Sequence, residues 1–287
     1  MTGVRDQGPG VSDARRTDGI ADRAWGRGRG VAGFIGEREL RALVMLACGA
    51  ALAVGADDPA VMLEIGSFKG KSAVALATVA QELGLPPLVS VDPHTAPAAT
   101  DPGLAEGSSY EAFLGAIERA GVREWVEVHR ETSAEAARSW ARPIRLLWID
   151  GDHTWEGARA DFDAFAPFLV PGGIVAVHDT LHFFEGPIRV FAERMLSDDR
   201  FGPAGFFHSI AWAQYRPGDG VNWQAERTKL KRSAERLLRR VTPPQANRGL
   251  NKLRYKLAVA RTPHAIPEAA QWLRANAAGS QSSGLGR

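Results

Sequence analysis

Five short apolar runs, spaced by stretches of helical periodicity, limit this chain's fold more than any other feature of its sequence. The runs occupy residues 61–65, 88–91, 126–128, 144–149 and 174–177. Between them, residues 71–83, 110–120, 133–141 and 155–169 carry apolar side chains at helical spacing. A strand that is apolar on both faces belongs in a parallel sheet covered by helices on either side. Two later segments, 206–209 and 211–215, read as closing strands that pair antiparallel. The expected architecture is a doubly wound α/β sheet of seven mostly parallel strands, with helices on both faces and no internal repeat.

Composition removes several classes. The single cysteine, Cys48, excludes a disulfide-stapled fold and any cysteine-built zinc cage. The longest apolar run, residues 42–56, falls short of the roughly 20 residues that a membrane span needs. Residues 1–22 are polar, carry Asp and Arg and lack an apolar core, so the expectation is no secretory signal and a cytoplasmic protein. Residues 1–23 read as a disordered lead. Residues 36–55 read as a helix with Glu37 and Glu39 in its first turn. Residues 24–224 are expected to form the folded domain, and 225–287 a basic helical extension with a loose tail from residue 279.

Charge follows the same division. Residues 226–261 hold twelve Lys and Arg against two Glu, and residues 1–225 carry a net −9. An acidic body is a poor surface for tracking a phosphate backbone, which argues against a nucleic-acid partner. In the extension, Leu230, Ala234, Leu237 and Leu238 share one face of a basic helix. That face packs on the body or on a second copy of the chain, or else docks weakly on an anionic membrane surface or an acidic partner.

In doubly wound sheets, ligands gather beyond the carboxyl ends of the strands, where the strand order reverses. Each such turn here carries polar or ionisable groups. Gly66 to Ser72 follow the first run, Asp92-Pro93-His94 the second and Glu131-Thr132-Ser133 the third. Asp150-Gly151-Asp152-His153 follow the fourth, and His178-Asp179-Thr180 the fifth. Gly70-Lys71-Ser72 imitates a phosphate-binding P-loop, but Ile65 stands where that loop needs its first glycine. The segment from Gly28 through Gly30 to Gly33 has the spacing of a dinucleotide fingerprint, yet no strand precedes it. What remains is Glu64 ending the first strand, a Gly66-x-x-x-Gly70 turn, and Asp92 ending the second strand. Glycines let the backbone approach a ligand. Asp92 suits a bidentate hydrogen bond to two ribose hydroxyls, and Glu64 suits the ammonium of an amino-acid moiety. The alternative makes Gly66 and Gly70 turn residues and Asp92 a helix cap.

Asp150 and Asp179 end neighbouring strands, so their carboxylates converge at the sheet's edge and suit a Mg²⁺ ion. Asp152 is either a third ligand or the cap of the helix starting near Thr154. His178 either ligates, which would favour Mn²⁺, or hydrogen-bonds a neighbouring carboxylate. His153, three residues past Asp150, suits a general base; the alternative is a structural histidine at a helix start. Trp148 and Trp155 flank this turn, in the core or against an acceptor.

Together these residues resemble the motifs of class I S-adenosylmethionine (SAM)-dependent methyltransferases. The segment from Val61 to Ser72 is similar to the first motif, and Leu146 to Gly157 and Pro171 to Asp179 are similar to the fourth and fifth strand regions. The similarity covers residues 33–216. It is greatest to the branch called methyltransferase 24, which is related to catechol, caffeoyl-CoA and sugar O-methyltransferases. The resemblance implies a Rossmann-like fold. It also implies that Glu64, Gly66, Ser67 and Ser72 contact the methionine part of SAM, with Gly70 closing the same turn. Asp92 would meet the ribose and Thr132 and Ser133 the adenine. Asp150 would border cofactor and metal alike, with Asp179 and His178 completing the Mg²⁺ or Mn²⁺ site. The family often has a carboxylate where His178 stands. His153 falls where the catechol-type enzymes place a basic lysine. The implied reaction is metal-assisted O-methylation of a small hydroxylated acceptor such as a sugar or natural-product glycoside. A nucleic-acid methyltransferase using the basic C-terminal region is the main alternative, against which stands the lack of a Pro-Pro-aromatic turn after the fourth strand. A nucleotide-binding oxidoreductase would lack its glycine fingerprint, and a non-catalytic SAM-binding protein is the remaining reading.

Overall fold

Two helices, α1 (Pro9–Gly28) and α2 (Glu37–Val54), precede the first strand. A computed structural model describes residues 9–95, 109–241 and 249–263 of the chain. Strands and helices then alternate as β1 (Val61–Ile65), α3 (Lys71–Leu83), β2 (Leu88–Val91), α4 (Tyr110–Arg119) and β3 (Val126–His129). The second half runs α5 (Ser133–Ala137), β4 (Ile144–Ile149), α6 (Trp155–Phe165), β5 (Leu169–Val177) and α7 (Glu185–Val190). The hairpin strands β6 (Phe201–Phe207) and β7 (Ile210–Tyr215) close the sheet, and α8 (Gln224–Val241) and α9 (Gly249–Ala260) follow.

The seven strands lie in the order β3-β2-β1-β4-β5-β7-β6. All neighbours from β3 to β5 are parallel, while β7 runs antiparallel to both β5 and β6. The chain steps outward from β1 to β3 and returns to β4 beside β1, so the order reverses between β1 and β4. That is where such a sheet leaves a crevice. Strands β1, β2 and β4 are buried along their whole length. Met62, Leu146 and Trp148 face one layer of helices, and Val61, Leu63, Leu147 and Ile149 face the other. This is the period-2 division of a sheet covered on both sides.

Several boundaries differ from the sequence reading. Residues 9–28, expected as a disordered lead through residue 23, form helix α1. Ile20, Ala21 and Ala24 are buried against the core, and Arg23 pairs with Glu82 of α3 at 2.6 Å. Residues 1–8 and the tail from residue 279 lie outside the described residues. The helix expected over 155–169 stops at Phe165, where Pro167 forces a tighter turn. Strand β6 starts at Phe201 rather than residue 206.

Helix α8 turns its apolar face inward. Ala234 and Leu237 are buried, with Leu230 and Leu238 packed beside them. Arg227, also buried, donates to the carbonyls of Phe201 and Gly220 and pairs with Asp199. Trp148 is a core residue, and Trp155 packs under Arg189, 4.3 Å from the ring centroid. Among the described residues no helix is long and apolar enough to cross a membrane.

Candidate active site

A cavity of about 670 Å³ opens at the carboxyl ends of β1, β2, β4 and β5. The turn after β1 forms one wall. Gly66 has φ +84°, and a Cβ there would run into the Asp150 carbonyl. This glycine therefore answers to the neighbouring strand end as well as to any ligand. Gly70, at φ +90°, caps α3 with Phe113 against it. From the end of β2, Asp92 holds the turn in shape: its Oδ2 accepts from the backbone N–H groups of Ser67 and Phe68, both at 2.8 Å, and its Oδ1 accepts from that of His94 at 2.7 Å.

Ser67, Ser72, Asp92, Thr132, Ser133 and Asp150 all reach the cavity wall. Glu64 and Gly70 stand behind it. Glu64 is fully buried; its Oε2 accepts from Ser90 Oγ at 2.8 Å and its Oε1 has no partner. Burial pushes this carboxyl up to about 8, against the pull of hydrogen bonds from Ser72 and Ser90. The buried Ser67 Oγ also lacks a partner. Orphaned polar atoms beside a cavity are what an incoming polar ligand would satisfy.

At the other end, β4 and β5 bring four ionisable groups together. His153 Nε2 lies 3.3 Å from Asp179 Oδ2 and 3.7 Å from Asp150 Oδ1. The ring of Phe184 covers His153, with centroids 4.4 Å apart. Donor atoms of Asp150, His153 and Asp179 all lie within 4.8 Å of one another, a spacing that fits one divalent ion. His178, expected either to ligate or to hydrogen-bond a neighbouring carboxylate, lies outside this group of three. Its Nδ1 is 3.0 Å from Asp150 Oδ1 and its Nε2 faces Glu39 Oε2 at 3.7 Å, so it stands behind the two carboxylates and orients them. Thr154, not Asp152, is the N-cap of α6; Asp152 lies outside the group of three, and its Oδ1 accepts from the Thr154 N–H at 2.8 Å.

The charges balance locally. Burial disfavours a charged His153, but Asp150 and Asp179 outweigh it and raise its pKa. Burial also opposes charge on His178, and Asp150, Glu39 and Asp179 raise it well above the ordinary value. Asp179 is itself held low, burial being overcome by its bond to His182 and by the neighbouring imidazoles.

Sequence reasoning passed over several members of the site. His182 Nδ1 lies 2.5 Å from Asp179 Oδ1, and the residue lines the cavity. Glu39 reaches in from α2, accepting from the Gly36 N–H at 3.0 Å and from Ser209 Oγ. Asp161 of α6 lines the wall near Ser133, and burial lifts its carboxyl to about 6. Residues 32–35, between α1 and α2, form part of the rim, where Phe34 stacks on Phe68 at 6.0 Å. His182 had a sequence signal: Asp179-x-x-His182 repeats the spacing of Asp150-x-x-His153.

Residues 63–180 match a methyltransferase domain. Among solved structures, the chain is similar to the O-methyltransferase NovP, at 13% identity and a TM-score of 0.56 over 71% of this chain and 99% of that one. It is also similar to the O-methyltransferase TomG from Streptomyces achromogenes, involved in tomaymycin synthesis and solved in complex with SAM. That match has 18% identity and a TM-score of 0.47 over 69% of this chain and 89% of the other.

Proposed function

We propose that this methyltransferase domain transfers the methyl group of SAM to a hydroxyl of a small acceptor, with a divalent ion assisting. The observation that supports it best is the meeting of Asp150, His153 and Asp179 on a cavity whose opposite wall is the glycine turn of β1. SAM fits the glycine-turn end. The orphaned Glu64 Oε1 and Ser67 Oγ suit its amino-acid moiety, Asp92 its ribose, and Thr132 and Ser133 its adenine. Asp150 borders both halves.

The acceptor fits the histidine end, between Phe184 and the rim at Phe34. An acceptor with two adjacent oxygens, such as a sugar or natural-product glycoside, suits paired carboxylates best. Asp150 and Asp179 would form a donor pair open to Mg²⁺, and an imidazole joining them would suit Mn²⁺ better. When bound, a divalent ion supplies Lewis acidity that lowers the pKa of a nearby hydroxyl. His153 takes the hydroxyl proton on Nε2, and Phe184 shields its ring from solvent. The acceptor oxygen then forms a bond to the methyl carbon as the methyl–sulfur bond breaks, leaving S-adenosylhomocysteine. His178 and Glu39 hold Asp150 and Asp179 in place throughout.

His153 also has the geometry of a third metal ligand, and one variant separates the roles. As a base, His153→Ala lowers methyl transfer about 10²–10⁴-fold, with Mn²⁺ and S-adenosylhomocysteine affinities near normal by calorimetry. Collapse of Mn²⁺ binding in that variant would make it a ligand. Collapse of S-adenosylhomocysteine binding in the wild type would remove the whole reading, and full activity after exhaustive chelation would remove the ion.

A further inference from the structure

Helix α9 presents an apolar stripe to solvent. Leu250, Leu253 and Leu257 are 71%, 55% and 49% exposed. At about 100° per residue they fall within an arc of about 60°. Tyr255 projects from the opposite side, buried, with its ring centroid 4.2 Å from that of Phe183 and its hydroxyl donating to the His182 carbonyl at 2.6 Å. The inner face of α9 is thus fixed on the body, and the leucines point away from it.

Cations border the stripe on both sides. Arg254 and Arg261 lie along one edge and Lys256 beyond the other, with Lys252 nearer the side of Tyr255; all four are exposed, and α9 contains no acidic residue. Helix α8, packed against α9, adds exposed Lys229, Arg232, Arg236 and Arg239. An apolar ridge flanked by Arg254 and Arg261 on one side and Lys256 on the other matches a helix lying in the headgroup layer of an anionic bilayer, with its leucines in the acyl boundary. A second copy fits poorly, since twofold pairing through this face would set like charges against each other. The stripe is the convex side of one helix, which among the described residues offers a partner helix no groove.

We propose that α9 docks the protein on anionic phospholipid surfaces. Docking would leave the loop of His182 and Phe184, braced from the inner side of α9, next to the membrane. This inference is independent of the chemistry in the cavity.

Full-length protein is tested by co-sedimentation with phosphatidylcholine vesicles with and without phosphatidylserine. Binding is expected only with phosphatidylserine and should weaken as salt rises. Each of Arg254→Glu and Lys256→Glu should lower the partition coefficient about five-fold or more. Replacing Leu250, Leu253 and Leu257 together by serine should abolish binding with the thermal midpoint and SAM-analogue affinity unchanged. No binding to phosphatidylserine vesicles at low salt overturns the proposal. So does full binding by the serine variant, which would make the contact a purely electrostatic one, or capture of an acidic protein by a chain that ignores vesicles.

Discussion

Glu64→Gln tests the least expected feature of the site, a carboxyl sealed inside the sheet. In the folded chain its pKa is about 8, raised by burial from the ordinary 4.5. Between those values the folded state holds a proton that the unfolded state has lost. Stability from this group is therefore complete below about pH 4.5 and is lost progressively up to about pH 8. Each pH unit within that window costs about 1.4 kcal/mol. Between about pH 5 and about pH 8.5 the loss sums to about 4 kcal/mol, an upper figure for a rigid site. Glutamine keeps the shape and cannot ionise, so the variant should lack that loss. Its hydrogen bond from Ser90 changes by an amount independent of pH, which drops out when the two proteins are compared at both pH values. Other raised groups, Asp161 and His153 among them, are common to both proteins and drop out as well. The assay is urea unfolding of wild type and variant across this range, read as the difference of differences. Parallel stability curves would refute the reasoning and imply that water or a counter-charge reaches Glu64.

Two further outcomes follow from local geometry. Gly66→Ala should cost about 3 kcal/mol or more in urea unfolding, because the added Cβ meets the Asp150 carbonyl at a left-handed φ, while Gly70→Ala should cost only about 1–2 kcal/mol. Tyr255→Phe should cost about 1 kcal/mol through its lost bond to the His182 carbonyl. In that variant the acceptor KM should rise at unchanged SAM affinity in steady-state kinetics, and an unchanged acceptor KM would limit Tyr255 to a structural role.

Parallel strands buried on both faces announce themselves as unbroken apolar runs, which is why β1, β2 and β4 were legible to the residue. Helix α1 was not. Among the described side chains its buried apolar ones are Ile20, Ala21 and Ala24, two of them alanines, and Arg23 and Arg27 reach Glu82 and Gln81 on α3. Such contacts over more than fifty residues leave no periodicity to read. In the site, Asp150, His153 and Asp179 were legible because they follow directly on strand runs. Glu39 and Phe34 come from segments ahead of the sheet, and only tertiary packing brings them to the cavity. His178 illustrates a different limit. Its position after β5 was readable, but which way its ring turns depends on Glu39, more than a hundred residues earlier.

The repeat of Asp-x-x-His after β4 and after β5 explains how one cluster gathers two carboxylates and three imidazoles. These strands are parallel neighbours with Ile149 opposite Val177, and the His178 N–H donates to the Ile149 carbonyl at 3.0 Å. Asp150 thus leaves the sheet level with His178, Asp179 follows one residue on, and the turns that follow bring His153 and His182 beside the two carboxylates. Asp179 pays for this with a left-handed φ of +55°, a conformation few non-glycine residues adopt. A slip of one residue between β4 and β5 would separate Asp150 from His178, which the present register sets opposite each other. The chemistry at the rim is therefore set by strand register, and the apolar runs fix that register by requiring Leu147, Ile149, Val175 and Val177 to face the same helical layer.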